Sequence, residues 1–269
     1  LCLNELNKPI YYISDENGFN NQKRYIKNDL LLIGDSYVQG MCLDNRNNLN
    51  AQFEKFNLRS TSLGIGGNGP LIEFATFKEY ESLYEYKTLI LFITPDNDFY
   101  DLLNESNNKI LMNYLNNPDF KQNISLKQNK KAKRKVINSF FGNKTNRFAN
   151  DFFSVYHFNL KRVFHKIKSY FKNENITNFD QNYLNDKDLD ILFLQILNKF
   201  HTFTKNKNIN FYVVFNSIYP NIIYPKTDTE RIINSKLKYK IEFIKNYLDK
   251  NKIEFFDFNE FIDDNYNKS

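Results

Sequence analysis

Gly34-Asp35-Ser36, the glycine cluster from Gly64 to Gly69 and the pair Asn97-Asp98 are residue types suited to one chemistry, acyl transfer. Ser36 offers a hydroxyl that can attack a carbonyl carbon. The glycines offer backbone N–H groups with no side chain in the way, and Asn97 offers an amide donor. An acyl-transfer site needs such a nucleophile together with two or three donors aimed at the developing oxyanion, and one donor is commonly worth about a hundred- to a thousand-fold in rate. Each set also has a plainer reading. Gly-Asp-Ser can be a turn or a helix cap, the glycines a tight strand-to-helix connection, and Asn-Asp an Asx turn that caps a helix. What raises them above those readings is their order along the chain and the elements that precede them.

Each set follows a short apolar run. Leu30 to Ile33 reads as a strand ahead of Gly34, Thr61 to Leu63 as a brief strand ahead of the glycines, and Lys87 to Thr94, rich in β-branched residues, as a fully buried strand ahead of Asn97. Leu49 to Phe56 predicts a short helix. Pro70 suits the first turn of another, where its missing N–H is an orphan anyway, and Leu71, Phe74, Ala75 and Leu83 follow at helical spacing. Later come an amphipathic helix from Leu189 to Thr204, a buried strand from Asn210 to Ile218, a long helix from Glu230 to Lys250 and a last strand from Ile253 to Phe258. Strands separated by helices predict βαβ units and a mainly parallel sheet of about five strands with helices on both faces. In an open parallel sheet ligands bind beyond the carboxyl ends of the strands, which is where all three sets stand. Residues 1–29 form a polar lead-in with a turn at Asn17-Gly18. Residues from about 104 to 186 form a helical and basic insertion without a clear strand. No repeat or low-complexity linker divides the chain, so one domain over 1–269 is expected.

The ordered combination resembles the SGNH hydrolases, also called the GDSL family. Their first block is a strand followed by G-D-S, as in Gly34-Asp35-Ser36. Their second is a glycine after the second strand, here within LGIGGNGP, and their third an Asn-Asp pair after the third strand, here Asn97-Asp98. The subgroup with DENGF ahead of the first strand, GxGPxxE in the second block and PxND in the third is the most alike. The likeness covers most of the chain and is strongest from Asp15 to Asp101. It implies a flavodoxin-like three-layer sandwich with Ser36 as nucleophile. It also implies an oxyanion hole formed by the Ser36 and Gly67 N–H groups and the Asn97 amide, with Gly34, Asp35 and Asp98 in support. No metal or organic cofactor is implied. The turn is not that of the α/β-hydrolases, because Val38 stands where G-x-S-x-G needs its last glycine.

Two departures stand out. The third block reads Pro95-Asp96-Asn97-Asp98 rather than G-x-N-D, and Asp96 is expected to point away, because a carboxylate would oppose the oxyanion. The fourth family block, D-x-x-H, whose histidine serves as general base, is missing: no Asp is followed three residues later by a His. His157, His165 and His201 read as structural or surface histidines, and no His follows Asp257, Asp263 or Asp264. The expectation is a chain truncated before that block, with the triad Asp and His beyond Ser269.

The net charge of +6 is uneven: no acidic residue occurs from Phe120 to Asn150, and Lys127 to Arg147 holds eight Lys and Arg. A solvated insertion is the plain reading. The functional one is a contact for an anionic polymer or a membrane surface through Lys130, Lys131, Lys133, Arg134 and Lys135. Only Phe140 and Phe141 could stack on bases there, so nucleic acid ranks last among partners. No run of eighteen apolar residues exists to span a membrane. Cys2 and Cys42 are too few for a disulfide framework. A chain that begins at Leu1 rather than Met leaves room for a preceding anchor or signal, and an extracytoplasmic or membrane-anchored setting is favoured. The function expected is a serine-dependent ester hydrolase or O-acyltransferase acting on small acyl esters of carbohydrate. The alternative is a non-catalytic glycan-binding domain of the same fold. A nucleotide-binding domain comes third, since GIGGNG lacks the following lysine of a P-loop.

Overall fold

The computed structural model describes residues 2–3, 9–10, 14–23, 25–124, 186–216, 228–258 and 260. The chain divides into two compact units, Leu1–Gln122 with Gln181–Ser269, and Asn123–Asp180. Nearly all of the second, including the basic stretch Lys127 to Arg147, His157 and His165, lies outside the described residues; so do Asp263 and Asp264. The elements of the first unit run β1 Leu30–Ile33, α1 Ser36–Gln39, α2 Leu49–Lys55, β2 Ser60–Ser62, α3 Pro70–Tyr80, β3 Thr88–Ile93, α4 Pro95–Ser106, α5 Lys109–Asn116, α6 Lys187–Asn206, β4 Asn210–Phe215, α7 Asp228–Lys250 and β5 Glu254–Asp257. A two-residue antiparallel ladder, Cys2–Leu3 with Pro9–Ile10, stands apart.

The five strands form one sheet in the order β2-β1-β3-β4-β5, every pair parallel. This is the strand order of flavodoxin-like proteins, and the fold is an α/β three-layer sandwich of that kind. Alternation along the strands divides the core into two layers. Leu31, Ile33, Leu89, Leu91, Ile93, Val213 and Phe215 face α3, α4, α6 and α7. Leu30, Leu32 and Phe92 face the other way, where Val38 of α1 and Leu49 and Phe53 of α2 cover them. β1 and β3 are buried on both faces, which is why they read as unbroken apolar runs.

β2 is different. Its residues, Ser60, Thr61 and Ser62, are polar, yet all three are buried. Buried polar groups require partners, and asparagines provide them. Asn50 accepts from the Ser60 hydroxyl at 2.8 Å, and Asn28 from the Thr61 hydroxyl at 2.9 Å. Asn21 accepts the Ser62 N–H at 2.9 Å and donates to the Ser62 carbonyl at 3.0 Å, so one side chain satisfies the outer edge of the strand. The polar lead-in is thus part of the fold. The Asp15 carboxylate closes its turn by accepting the N–H groups of Asn17 and Phe19, and Phe19 inserts into the core edge-on to Tyr80, ring centroids 5.0 Å apart.

Helices on the large face are joined by phenylalanines. Phe74 and Phe77 of α3 meet Phe200 of α6 with centroids 5.1 and 5.0 Å apart, and Phe99 of α4 stacks on Phe193 of α6 at 5.0 Å. α7 adds Lys240, fully buried, which pairs with Asp190 of α6 and sits 4.4 Å from the Phe99 ring centroid. Among the described residues no helix is long and apolar enough to cross a membrane.

Candidate functional site

The register sets Ile33 beside Leu91 and Ile93 beside Phe215, so the three loops that follow β1, β2 and β3 leave one rim of the sheet. At the end of β1 the chain turns at Gly34, where a Cβ would lie 2.5 Å from Val38 Cγ2. A side chain there would push α1 off the strand. Asp35 is the N-cap of α1, with its Oδ1 accepting the Tyr37 N–H at 3.0 Å. Ser36 is therefore the first residue of the helix, where a backbone N–H has no intrahelical acceptor.

The glycine loop lies against this turn. An ideal Cβ on Gly66 would stand 3.3 Å from Ser36 Cβ, so the loop backbone passes close to the serine. Gln39 holds it there, its Oε1 accepting the Gly66 N–H at 2.8 Å. The Asn68 N–H closes a turn on the Ile65 carbonyl at 3.2 Å, with Gly67 at φ +83°. That angle at the third position marks a type II turn and selects glycine. The Gly67 N–H makes no hydrogen bond among the described residues.

The third loop enters from α4. Thr94 is its N-cap and Pro95 its first residue. Asn97 and Asp98 thus belong to the first helical turn rather than to a free Asx turn. Asp98, buried, accepts the Thr94 N–H at 2.7 Å and fixes the start of the helix. Asn97 donates its amide to Asp35 Oδ2 at 3.1 Å. One carboxylate therefore both caps the helix that carries Ser36 and holds the asparagine, while the amide keeps a second hydrogen to offer. Thr94 in turn donates to Asn216 at the end of β4, at 2.6 Å. The side chain of Asp96 lies outside the described residues.

A cleft of about 430 Å³ opens over these groups. It is lined by the polar residues Asp35, Ser36, Thr94 and Asn97, by Gly40, and by Tyr37, Met41 and Leu43. Between Met41 and Leu43, Cys42 is disulfide-bonded. Ser36, Asp35, Asn97 and the glycine loop are thus brought together, with Gly34 and Asp98 shaping the turns beside them. A histidine is not. His201, the sole histidine among the described residues, lies near the end of α6, which leads into the start of β4 and so reaches the opposite rim of the sheet. Burial and Lys205 push its pKa down. Asp257 ends β5 paired with Lys245 at 2.8 Å. Among the described residues no group of His, Cys, Asp and Glu could hold a metal ion.

Two carboxyl groups near the site were not among the site residues expected from the sequence. Glu73 of α3 is buried with its Oε1 unpartnered, and burial followed by the charges of Asp98, Asp35, Glu105 and Asp101 pushes its pKa well up. Glu105 of α4 caps α3. The E of GxGPxxE was the available signal for Glu73. For Glu105 there was none, since its partners lie far off in sequence. No protein-family model matches this chain, and neither does any curated protein.

Proposed function

We propose that the chain is a serine-dependent ester hydrolase or O-acyltransferase of SGNH type, acting on small acyl esters of carbohydrate. One juxtaposition carries the reading. The Asn97 amide is bonded to the carboxylate that caps the Ser36 helix, and the glycine loop rests on Ser36, with the Gly67 N–H unspent. Ser36 Oγ attacks the acyl carbonyl, and its proton passes to a general base, which is not among the described residues. The oxyanion is met by the Ser36 and Gly67 N–H groups and the free hydrogen of the Asn97 amide, each donor contributing about a hundred- to a thousand-fold. Collapse expels the sugar alcohol and leaves an acyl-serine, which water or another hydroxyl resolves. The cleft offers polar lining residues for a sugar and apolar ones for its acyl group.

The absence of a histidine at the rim among the described residues favours a second reading, a glycan-binding domain without catalysis. Release of acetate from p-nitrophenyl acetate and from acetylated polysaccharide separates the two. The ester reading expects turnover that Ser36→Ala abolishes. Saturable polysaccharide binding, with no turnover above that of Ser36→Ala, selects the binding domain.

A further inference from the structure

The helix that follows the glycine loop, α3, has Gly69 as its N-cap, a residue with no side chain to cap with. Its first N–H groups are orphan donors, and a residue on another helix meets them. Glu105, buried near the end of α4, accepts the Gly69 N–H on Oε1 at 2.7 Å, and the Leu71 and Ile72 N–H groups on Oε2 at 2.9 and 3.4 Å. The contact is close: a Cβ on Gly69 would stand 2.6 Å from Asp101 Cβ and 2.9 Å from Glu105 Cδ. The loop is therefore pinned at two points, Gly66 to Gln39 and Gly69 to Glu105. Gly67 lies between the pins.

We propose that Glu105 is a positioning residue of this site: its carboxylate clamps the exit of the glycine loop and so sets the direction of the Gly67 N–H. The clamp stands on geometry alone; only its consequence for turnover rests on the ester reading.

The clamp is ionisable in the neutral range. Burial pushes Glu105 up to about 7, Asp101 adding to the rise while the three N–H groups oppose it. The groups that face it are Asp101 on its own helix and Glu73 on α3. From the other helices on α4, Lys240 of α7 and Asp190 of α6 pair with each other, and Lys109 of α5 is exposed. Among the described residues no cation pairs with Glu105. Protonation turns one oxygen of the clamp from acceptor to donor, so loop order and proton occupancy are linked.

The chain has eight glycines, so 15N-glycine labelling gives an amide spectrum simple enough to titrate from pH 5 to 9. The Gly69 and Gly67 resonances should shift together with a midpoint near 7, Gly18 in the lead-in turn should stay still, and Glu105→Gln should abolish the shared titration. A static Gly67 beside a titrating Gly69, or a Gly67 resonance that Glu105→Gln leaves in place, overturns the proposal. In acetate release, Glu105→Gln should lower kcat about 10- to 100-fold with KM within about twofold. Unchanged kcat in a protein whose turnover needs Ser36 overturns the role in positioning. Full-length protein without turnover overturns the ester reading, and the glycine titration still decides the clamp.

Discussion

At the scale of residues, the site rests on a few polar contacts that can be removed singly. On the proposed ester reading, Asn97→Ala removes one oxyanion donor and should cut turnover about a hundred- to a thousand-fold with little change in KM, measured by acetate release. Asn21→Ala tests the lead-in. It leaves the Ser62 N–H and carbonyl buried without partners, and the cost should be ~2–4 kcal/mol in urea unfolding. A loss under ~0.5 kcal/mol would show that water replaces the asparagine. What the sequence revealed at this scale follows from where chemistry meets backbone. Ser36, Gly67 and Asn97 each stand within four residues of the end of an apolar run, so their types and places are legible together. Asn21 and Glu105 are not, because each reaches its partner across 41 and 36 residues, and no local pattern encodes such a contact. Likewise, the doubling of Asp35 as helix cap and holder of Asn97 spans 62 residues and appears only in three dimensions.

At the scale of elements, packing on the large face decides stability. Phe77 is fully buried and meets Phe200 and Phe203 of α6, so Phe77→Ala should cost ~3–5 kcal/mol. The Lys240–Asp190 pair between α7 and α6 makes a sharper test. Removing one partner strands a buried charge, so Lys240→Met alone should cost ~3–5 kcal/mol, whereas Lys240→Met with Asp190→Leu should recover most of the loss. Equal losses in the single and double variants would mean that packing around the stem of Lys240 matters, not its charge. The strands were readable because β1, β3 and β4 are apolar runs, although β4 is buried only at alternate residues, with Tyr212 exposed. β2 was read one residue late, from Thr61, because a strand of Ser-Thr-Ser carries no hydrophobic pattern and is recognised only through its pairing of Ser60 with Leu30. Leu83, which fitted the helical spacing, lies in the single 3₁₀ turn Glu81–Leu83 that ends α3.

At the scale of the whole molecule, buried carboxyl groups set an unusual pH response. Glu105 titrates near 4.5 when unfolded and about 7 when folded, so the native state holds its proton more tightly. Its contribution, ~3 kcal/mol, is complete below about pH 4.5 and is lost as pH rises through 7. Asp29, held down to about 2 chiefly by its hydrogen bond from Lys87, works in the opposite direction and only in acid. The melting temperature should therefore fall from pH 5 to pH 8 by calorimetry, and Glu105→Gln should flatten that slope; an unchanged slope would place the effect elsewhere. A clamp that is costly while ionised is the kind of local conflict a functional site retains. The sheet order was within reach of the sequence because each βαβ unit has one favoured hand and few arrangements remain. A general base for the proposed chemistry was not, because no D-x-x-H occurs and the only described histidine lies at the far rim. The central claim, that Ser36 is a nucleophile in a prepared cradle, is tested most directly by mass spectrometry of the full-length protein after treatment with an alkyl fluorophosphonate. The account predicts one phosphonyl group per chain, on Ser36, lost in Ser36→Ala; a chain that stays unmodified, or one labelled equally after Ser36→Ala, would contradict it.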